Sequence, residues 1–240
     1  MYLTDKLFGY WVDMNFLSHF YFERYATQPE RVLGSLLPDL LKNVDKSYIF
    51  HPQKQEEQFF LHPQTQAISE GWYRHVEVDK LFHSSEFFLE HNHVLRKQLE
   101  PVLEGLPIRA SFMAHIAIEL LLDHLLIQHE LVNVSRLYEH LEHVNLSTLR
   151  SYLKTLGVED VEGFMDFYDK FLSWRYIFEY KEVEKISNPL FNISKRIWTF
   201  ETQPSQHEAL TEVLINYRDN QLTNFKEIYM YIQDNITYLS

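Results

Sequence analysis

Apolar side chains recur at intervals of three to four residues along most of this 240-residue sequence. This spacing puts them on one face of an α-helix, whereas half-buried strands require strict alternation of apolar and polar residues. No segment shows sustained alternation bounded by the turns that join short strands. We therefore predict an all-α fold, with helices at about 14–25, 29–41, 64–82, 85–99, 111–130, 135–144, 149–156, 161–173, 176–185 and 206–236.

Proline marks the interruptions in this pattern. Pro38 lies inside the second predicted helix and predicts a kink or a break there, because proline has no amide hydrogen. Residues 46–63 contain two prolines and several glutamines, which predicts a loop or a lid. The sequence has no repeat at a fixed period, so we expect a single helical domain with a helical C-terminal third packed on it.

Composition excludes several kinds of functional site. The chain has no cysteine and only six glycines, so thiol nucleophiles, disulfides, cysteine zinc sites and glycine-rich phosphate loops are excluded. It has thirteen histidines. Any metal must therefore be held by imidazole and carboxylate.

Charge and hydropathy exclude several classes of partner. The formal net charge is −12, and no basic stripe or basic amphipathic helix is visible, so nucleic acid and membrane surfaces are not expected partners. The apolar run at 7–12 is too short for a secretory signal. The longest apolar region, 112–127, is interrupted by His115, Glu119, Asp123 and His124. We expect a cytoplasmic protein that does not cross a membrane.

Histidines and carboxylates share two helical faces. Eleven of the thirteen histidines lie between residues 51 and 143. His75, Asp79 and His83 follow one another at steps of four, which places them on one face of a helix. His115, Glu119 and Asp123 repeat this spacing, with His124 next to the last. Two such helices can face each other and build a metal site between them.

Local apolarity strengthens the metal hypothesis. Glu119 and Asp123 lie among isoleucines and leucines, Asp39 lies within Leu36-Leu37-Pro38-Asp39-Leu40-Leu41, and His19 lies among phenylalanines. A buried carboxylate is costly unless it is paired or binds a cation. A donor set without thiolate suits manganese, iron, magnesium or zinc, and ligand type alone does not choose among them.

Four short motifs give this pattern a specific resemblance. They are, in chain order, Met14-Asn15-Phe16-Leu17-Ser18-His19, Gly34-Ser35-Leu36-Leu37-Pro38-Asp39, Gly71-x-x-x-His75-x-x-x-Asp79 and Glu119-x-x-x-Asp123-His124. Their types and order resemble the acyl carrier protein phosphodiesterases, a divergent all-helical branch of the HD-type metal phosphohydrolases. The motifs span residues 14–129, and little can be aligned after residue 130.

The resemblance implies a fold and a reaction. It implies an HD-like helical bundle in which residues 1–13 are an N-terminal extension, 14–130 form the metal-site core and 131–240 add C-terminal helices. The implied reaction, linked to fatty acid biosynthesis, releases 4′-phosphopantetheine from holo-acyl carrier protein, usually with manganese. The implied metal ligands are His19, Asp39, His75, Asp79, Glu119 and Asp123. The implied catalytic residues are Asp39, His75 and His124, and we expect Arg74 or Arg109 to bind a phosphate.

The chain also departs from the family pattern. The family usually has Asp at the position of His83 and often at that of Glu119, and both replacements can still bind a metal. His83 and His115 are candidates either for ligands or for side chains that orient the ligands. Acyl carrier protein is acidic and this chain carries a charge of −12, so binding needs a local basic patch. The candidates for that patch are Lys42, Lys46, Arg74, Lys80, Arg96, Lys97 and Arg109.

Two other functions stay open at this point. The first is a non-catalytic helical binding protein that keeps the fold. The second is a di-iron helical-bundle oxidase, which is less favoured because such sites use two Glu-x-x-His pairs and only Glu90-x-x-His93 fits.

Overall fold

A computed structural model describes residues 16–237, and within this range all regular secondary structure is helical. The all-α prediction is confirmed. The described residues form α1 (Phe16–Glu23), α2 (Pro29–Val44), α3 (Glu56–Phe59), α4 (Pro63–Ser84), α5 (Glu86–Leu99), α6 (Ala110–Gln128), α7 (Val134–Glu142), α8 (Leu146–Leu156), α9 (Val161–Trp174), α10 (Ser187–Lys195), α11 (Pro204–Gln221) and α12 (Lys226–Asn235). Three short 3-10 helices lie at Pro52–Gln55, Tyr176–Lys181 and Val183–Lys185.

Several predicted boundaries are wrong. The helix predicted at 176–185 is two 3-10 segments, and α10 was not predicted. The helix predicted at 206–236 is two helices, because the chain turns at 222–225 between α11 and α12. The segment 46–63 contains a 3-10 helix and α3 rather than only loop, and α2 continues through Pro38 without a break. The predicted extension 1–13 lies outside the described residues, as do Met14 and Asn15 of the first motif.

The described chain divides into two compact units. The first contains Phe16–Asp79, Glu130–Phe178 and Thr237, and we call it the Asp39 unit. The second contains Lys80–His129 and Glu179–Ile236, and we call it the Glu119 unit. Each unit combines segments from both sides of residue 130, where the resemblance divides core from C-terminal helices.

In the Asp39 unit, α2 packs against α1, α7 and α9. Its apolar residues Val32, Leu33, Leu36, Leu37 and Leu40 are all fully buried. Pro29 occupies the first turn of α2, where a missing amide hydrogen costs no helical hydrogen bond. A helix buried on this many sides is a rigid support for the polar residues that it carries.

Two glycines let the backbones of α2 and α4 touch. A Cβ atom added at Gly34 would lie 2.1 Å from the carbonyl oxygen of Ile68, and one added at Gly71 would lie 2.1 Å from the carbonyl oxygen of Arg31. Any larger residue at either position would overlap backbone atoms that cannot move independently of their helix. The glycines of the second and third motifs thus fix the distance between α2 and α4.

In the Glu119 unit, α6 packs against α5, α10 and α11. Its length and apolar composition would suffice to cross a membrane, but 72% of the apolar window is buried within the protein, as in the core helix of a globular unit. Glu119, Asp123 and His124 are buried on this helix. Their burial agrees with the apolar surroundings seen in the sequence.

Candidate metal centre

His19, Asp39 and His75 converge inside the Asp39 unit. They come from α1, α2 and α4, and each offers one ligand atom within 4.8 Å of the ligand atoms of the other two. All three residues are buried, with 1%, 3% and 4% of their surfaces exposed. The structure therefore assembles half of the metal set that the sequence predicted: two imidazoles and one carboxylate.

The His75 ring is held in a defined orientation. Its Nδ1–H donates a hydrogen bond to the backbone carbonyl of Ser35 at 2.9 Å. Its Nε2 therefore carries the lone pair in the neutral ring and lies 3.6 Å from Oδ1 of Asp39. The His19 ring stacks on that of His75, with centroids 3.8 Å apart. Metal-ligating histidines are commonly oriented by such a carbonyl.

The sequence of α2 explains why this carbonyl lies at the site. Ser35 and Asp39 are one helical turn apart, so both lie on the same face of α2. Pro38 lacks the amide hydrogen that would bond to the carbonyl of Gly34, which loosens the helical ladder beside Ser35. The role of the Ser35 carbonyl was missed from the sequence, because backbone groups leave no residue-type signal.

The donor set fits a divalent ion. Ligands that lie about 2.0–2.2 Å from one ion are separated from each other by roughly 3.0–3.5 Å, close to the 3.6 Å between Asp39 and His75. Two histidines and one carboxylate also leave coordination positions open, as catalytic metal sites require. The arrangement can hold a metal ion and leave room for a substrate oxygen and a water.

The two arginines expected to bind phosphate lie in different surroundings. Arg74 is buried in the Asp39 unit, and its Nε lies 3.7 Å from Oε1 of Glu23, which is also buried. Arg31 donates to the other oxygen of Glu23 at 2.7 Å. Arg74 therefore lies beside a buried carboxylate, but Nε and Oε1 do not form a hydrogen bond. Its phosphate-binding role remains a prediction. Arg109 is exposed at the residue before α6, in the Glu119 unit.

A second group of donors lies in the Glu119 unit. Nε2 of His115 lies 3.2 Å from Oε1 of Glu119, and Nε2 of His83 lies 3.6 Å from the same oxygen. The structure thus places the predicted ligand Glu119 with His83 and His115. The four-residue spacing of His115 and Glu119 was the visible signal for this group, but the sequence left open whether the two histidines bind a metal or orient its ligands.

The remaining predicted site residues lie outside both groups. Asp79 is half-buried in the Asp39 unit, and Asp123 is fully buried in the Glu119 unit. Neither is a member of the three-residue donor groups found among residues 16–237. Their roles as ligands remain predictions.

His124 is engaged at both ring nitrogens. Its Nδ1–H donates to the carbonyl of Tyr180 at 2.9 Å, and Nε2 accepts from Nη1 of Arg218 at 3.2 Å. Burial lowers the pKa of His124, the Tyr180 hydrogen bond opposes this shift, and the Arg218 charge adds to it. The ring is therefore neutral at pH 7. Its predicted catalytic role remains a prediction.

Comparison with known families gives a match over most of the chain. The model of a family described as acyl carrier protein phosphodiesterase matches residues 14–232. The match begins at the first motif and extends through α7 to α11 and most of α12, well beyond the motifs themselves. No curated protein and no solved structure shows significant similarity to the chain.

Proposed function

The chain belongs to the acyl carrier protein phosphodiesterase family, and we propose that it is a metal-dependent phosphodiesterase that releases 4′-phosphopantetheine from holo-acyl carrier protein. The observation that carries this proposal is the buried convergence of His19, Asp39 and His75. These residues come from three of the four family-like motifs. We further propose manganese as the ion, and the cytoplasm as the place where the enzyme works.

The reaction consumes one water. Water attacks phosphorus, the bond between phosphorus and the serine oxygen of the carrier protein breaks, and that oxygen leaves with a proton. The products are apo-acyl carrier protein and 4′-phosphopantetheine. A divalent ion bound at such a site supplies Lewis acidity, because it neutralises charge on the phosphoryl oxygens and lowers the pKa of a water.

The protein holds in place the side chains that would bind the metal ion. The Ser35 carbonyl keeps the proton of neutral His75 on Nδ1 and so reserves Nε2 for the ion. The carboxylate of Asp39 supplies negative charge among fully buried leucines, where the low dielectric strengthens its attraction for a cation. His19 closes the donor set from α1.

Substrate binding has to overcome the net charge of −12. In the Asp39 unit, two exposed lysines lie near the end of α2, the helix that carries Asp39. Lys42 lies in the last turn of α2, and Lys46 lies two residues after its end. Arg74 is buried against Glu23, so we leave it out of the docking surface. We propose that Lys42 and Lys46 attract the acidic carrier protein.

The proposal is tested by incubating the protein with holo-acyl carrier protein and Mn²⁺ and measuring the intact mass of the carrier. We expect a loss equal to the phosphopantetheine group, which is abolished by chelation and by Asp39→Asn. The matched control is Asp166→Asn, which removes an exposed carboxylate from α9 of the same unit and should leave turnover unchanged. Thermal melts establish that both variants fold.

The alternatives predict other outcomes. Binding of holo-acyl carrier protein without any mass change, in Mn²⁺, Fe²⁺, Mg²⁺ and Zn²⁺ alike, would support a non-catalytic binding protein and contradict hydrolysis. Absorption bands of an oxo-bridged iron pair would support the oxidase hypothesis. Glu90 and His93, the pair that suggested it, are both exposed on α5, and we do not propose it.

A further inference from the structure

We propose that His83, His115 and Glu119 form a second metal site, which binds a divalent transition-metal ion such as Zn²⁺ in the Glu119 unit. The proposed hydrolysis does not require this site. It has a donor set of its own and a different exposure to solvent, and it is argued from residues that the family resemblance did not assign as a group.

The three donors have the separations that one ion imposes. Nε2 of His115 and Nε2 of His83 lie 3.2 and 3.6 Å from the same Oε1 of Glu119. Ligands about 2.0–2.1 Å from a tetrahedral zinc ion are roughly 3.3–3.4 Å apart. All the donor atoms lie within 4.8 Å of one another. The apo geometry therefore needs only small adjustments to close on an ion.

Phe88 holds both imidazoles in place. Its ring meets that of His83 edge to face at 4.8 Å and that of His115 edge to face at 5.0 Å, each at 83°. Phe88 is itself fixed, because its amide donates to Oγ of Ser85, the N-cap of α5. The two imidazoles stack on each other with centroids 4.8 Å apart. This preorganisation reduces the ordering that metal binding requires.

The charges of the three side chains favour a divalent ion over a protonated imidazole as the partner of Glu119. Only 7% of the Glu119 side chain is exposed, and Ile118 and Leu120 beside it are fully buried. One protonated imidazole would neutralise this carboxylate, but a second protonated ring stacked on the first would repel it. An ion with charge +2 is attracted to the carboxylate and accepts lone pairs from both neutral rings at once.

The exposure of the two histidines gives an ion access to the site, and the donor types limit which ion binds. The side chains of His115 and His83 are 41% and 29% exposed, so the site opens to solvent. Imidazole donors favour zinc, cobalt, nickel or ferrous ions, whereas magnesium and calcium prefer sites made of oxygen ligands. We therefore expect Zn²⁺ to bind here and Mg²⁺ not to compete with it.

The experiment uses full-length, untagged protein stripped with a chelator. Zn²⁺ binding is measured by calorimetry for the wild type, His115→Ala and His93→Ala, and Co²⁺ absorption reports the coordination of the cation. His115→Ala removes an exposed ligand and is expected to fold, which a thermal melt checks. His93→Ala is the matched control, since it removes an exposed imidazole from α5 of the same unit.

We expect His115→Ala to lose one Zn²⁺ equivalent, or to weaken one site by at least about 100-fold, since even the partners that orient ligands contribute 10–100-fold. His93→Ala should match the wild type, and Glu119→Gln should repeat the loss while keeping side-chain volume. Unchanged stoichiometry and affinity in His115→Ala would overturn the proposal, as would equal competition by Mg²⁺. The difference in Zn²⁺ binding between the wild type and His115→Ala can be observed even if no hydrolysis of the carrier protein is detected. The two proposals are therefore tested separately.

Discussion

The glycine contact between α2 and α4 provides the most stringent test of the Asp39 unit. Replacing Gly71 by alanine would place the new Cβ 2.1 Å from the carbonyl oxygen of Arg31, 2.8 Å from the amide nitrogen of Ser35 and 2.9 Å from the carbonyl carbon of Gly34. All three are backbone atoms of α2. The overlap can therefore be relieved only by moving one helix away from the other.

The size of this effect follows from the geometry. Ordinary van der Waals contacts of a Cβ atom begin at 3.4 Å, so the helices must separate by about 1 Å. Overpacking of this kind costs about 1–3 kcal/mol, or more, whereas the helix propensity of alanine returns about 1 kcal/mol. Because the overlap is with backbone atoms, we take the upper end of that cost, about 3 kcal/mol. The net destabilisation is then about 2 kcal/mol, or roughly 4–8 °C in Tm for a chain of this size.

The site should respond more strongly than the fold. Asp39 lies five residues after Gly34 on α2, and His75 lies four residues after Gly71 on α4. A displacement of about 1 Å separates the two ligands and can reduce catalysis by about 100-fold. Urea unfolding, Mn²⁺ titration and the mass assay measure stability, metal affinity and turnover on the same preparation.

Gly105→Ala is the control for this variant. A Cβ there meets nothing within 4 Å, but its φ of +81° makes alanine strained by about 1–2 kcal/mol. It should lower stability without lowering Mn²⁺ affinity. If Gly71→Ala kept both wild-type stability and wild-type metal affinity, the close approach of α2 and α4 would be refuted.

Three further predictions address other parts of the molecule. Charge reversal at Lys42 and Lys46 should lower kcat/KM for holo-acyl carrier protein about tenfold at low salt, and less at high salt, without affecting hydrolysis of a small phosphodiester. Burial lowers the pKa of His91 more than nearby carboxylates raise it, so the unfolded chain takes up the proton first. Stability should therefore fall as pH drops below about 6.5, and less steeply in His91→Gln when urea unfolding is followed from pH 7 to 5. Phe88→Leu should weaken the Zn²⁺ site about tenfold in calorimetry, because both imidazoles lose their edge contacts; an unchanged affinity would contradict this.

Where a helix has an apolar face and an end signal, the sequence predicted it well. The helix predicted at 85–99 is α5, and Ser85 caps it by accepting the amide of Phe88. The separation of α11 from α12 was missed, because the turn at 222–225 contains neither glycine nor proline. α10 was not predicted; Pro189 lies in its first turn, where proline is tolerated.

The candidate site was predictable in its residue types but not in its grouping. Helical spacing and apolar surroundings identified His19, Asp39 and His75, which the structure brings together. The same spacing suggested that Glu119 would join His75, but in the structure Glu119 lies with His83 and His115. Which donors come together depends on how the helices pack. A single sequence indicates helix packing only indirectly, through positions such as Gly71.

The touching glycines also bear on how the Asp39 unit opens. Where two helices meet backbone to backbone, the contact sets how closely they can approach, but no side chains interlock there to oppose their separation. An ion bound by Asp39 from α2 and His75 from α4 would link the two helices beside this contact. Metal binding and local opening would then be coupled, because opening releases the ion. An ion at a hundred times its Kd would add about 2.7 kcal/mol to the free energy of any opening that releases it. Amide hydrogen exchange around Gly34 and Gly71 would slow accordingly.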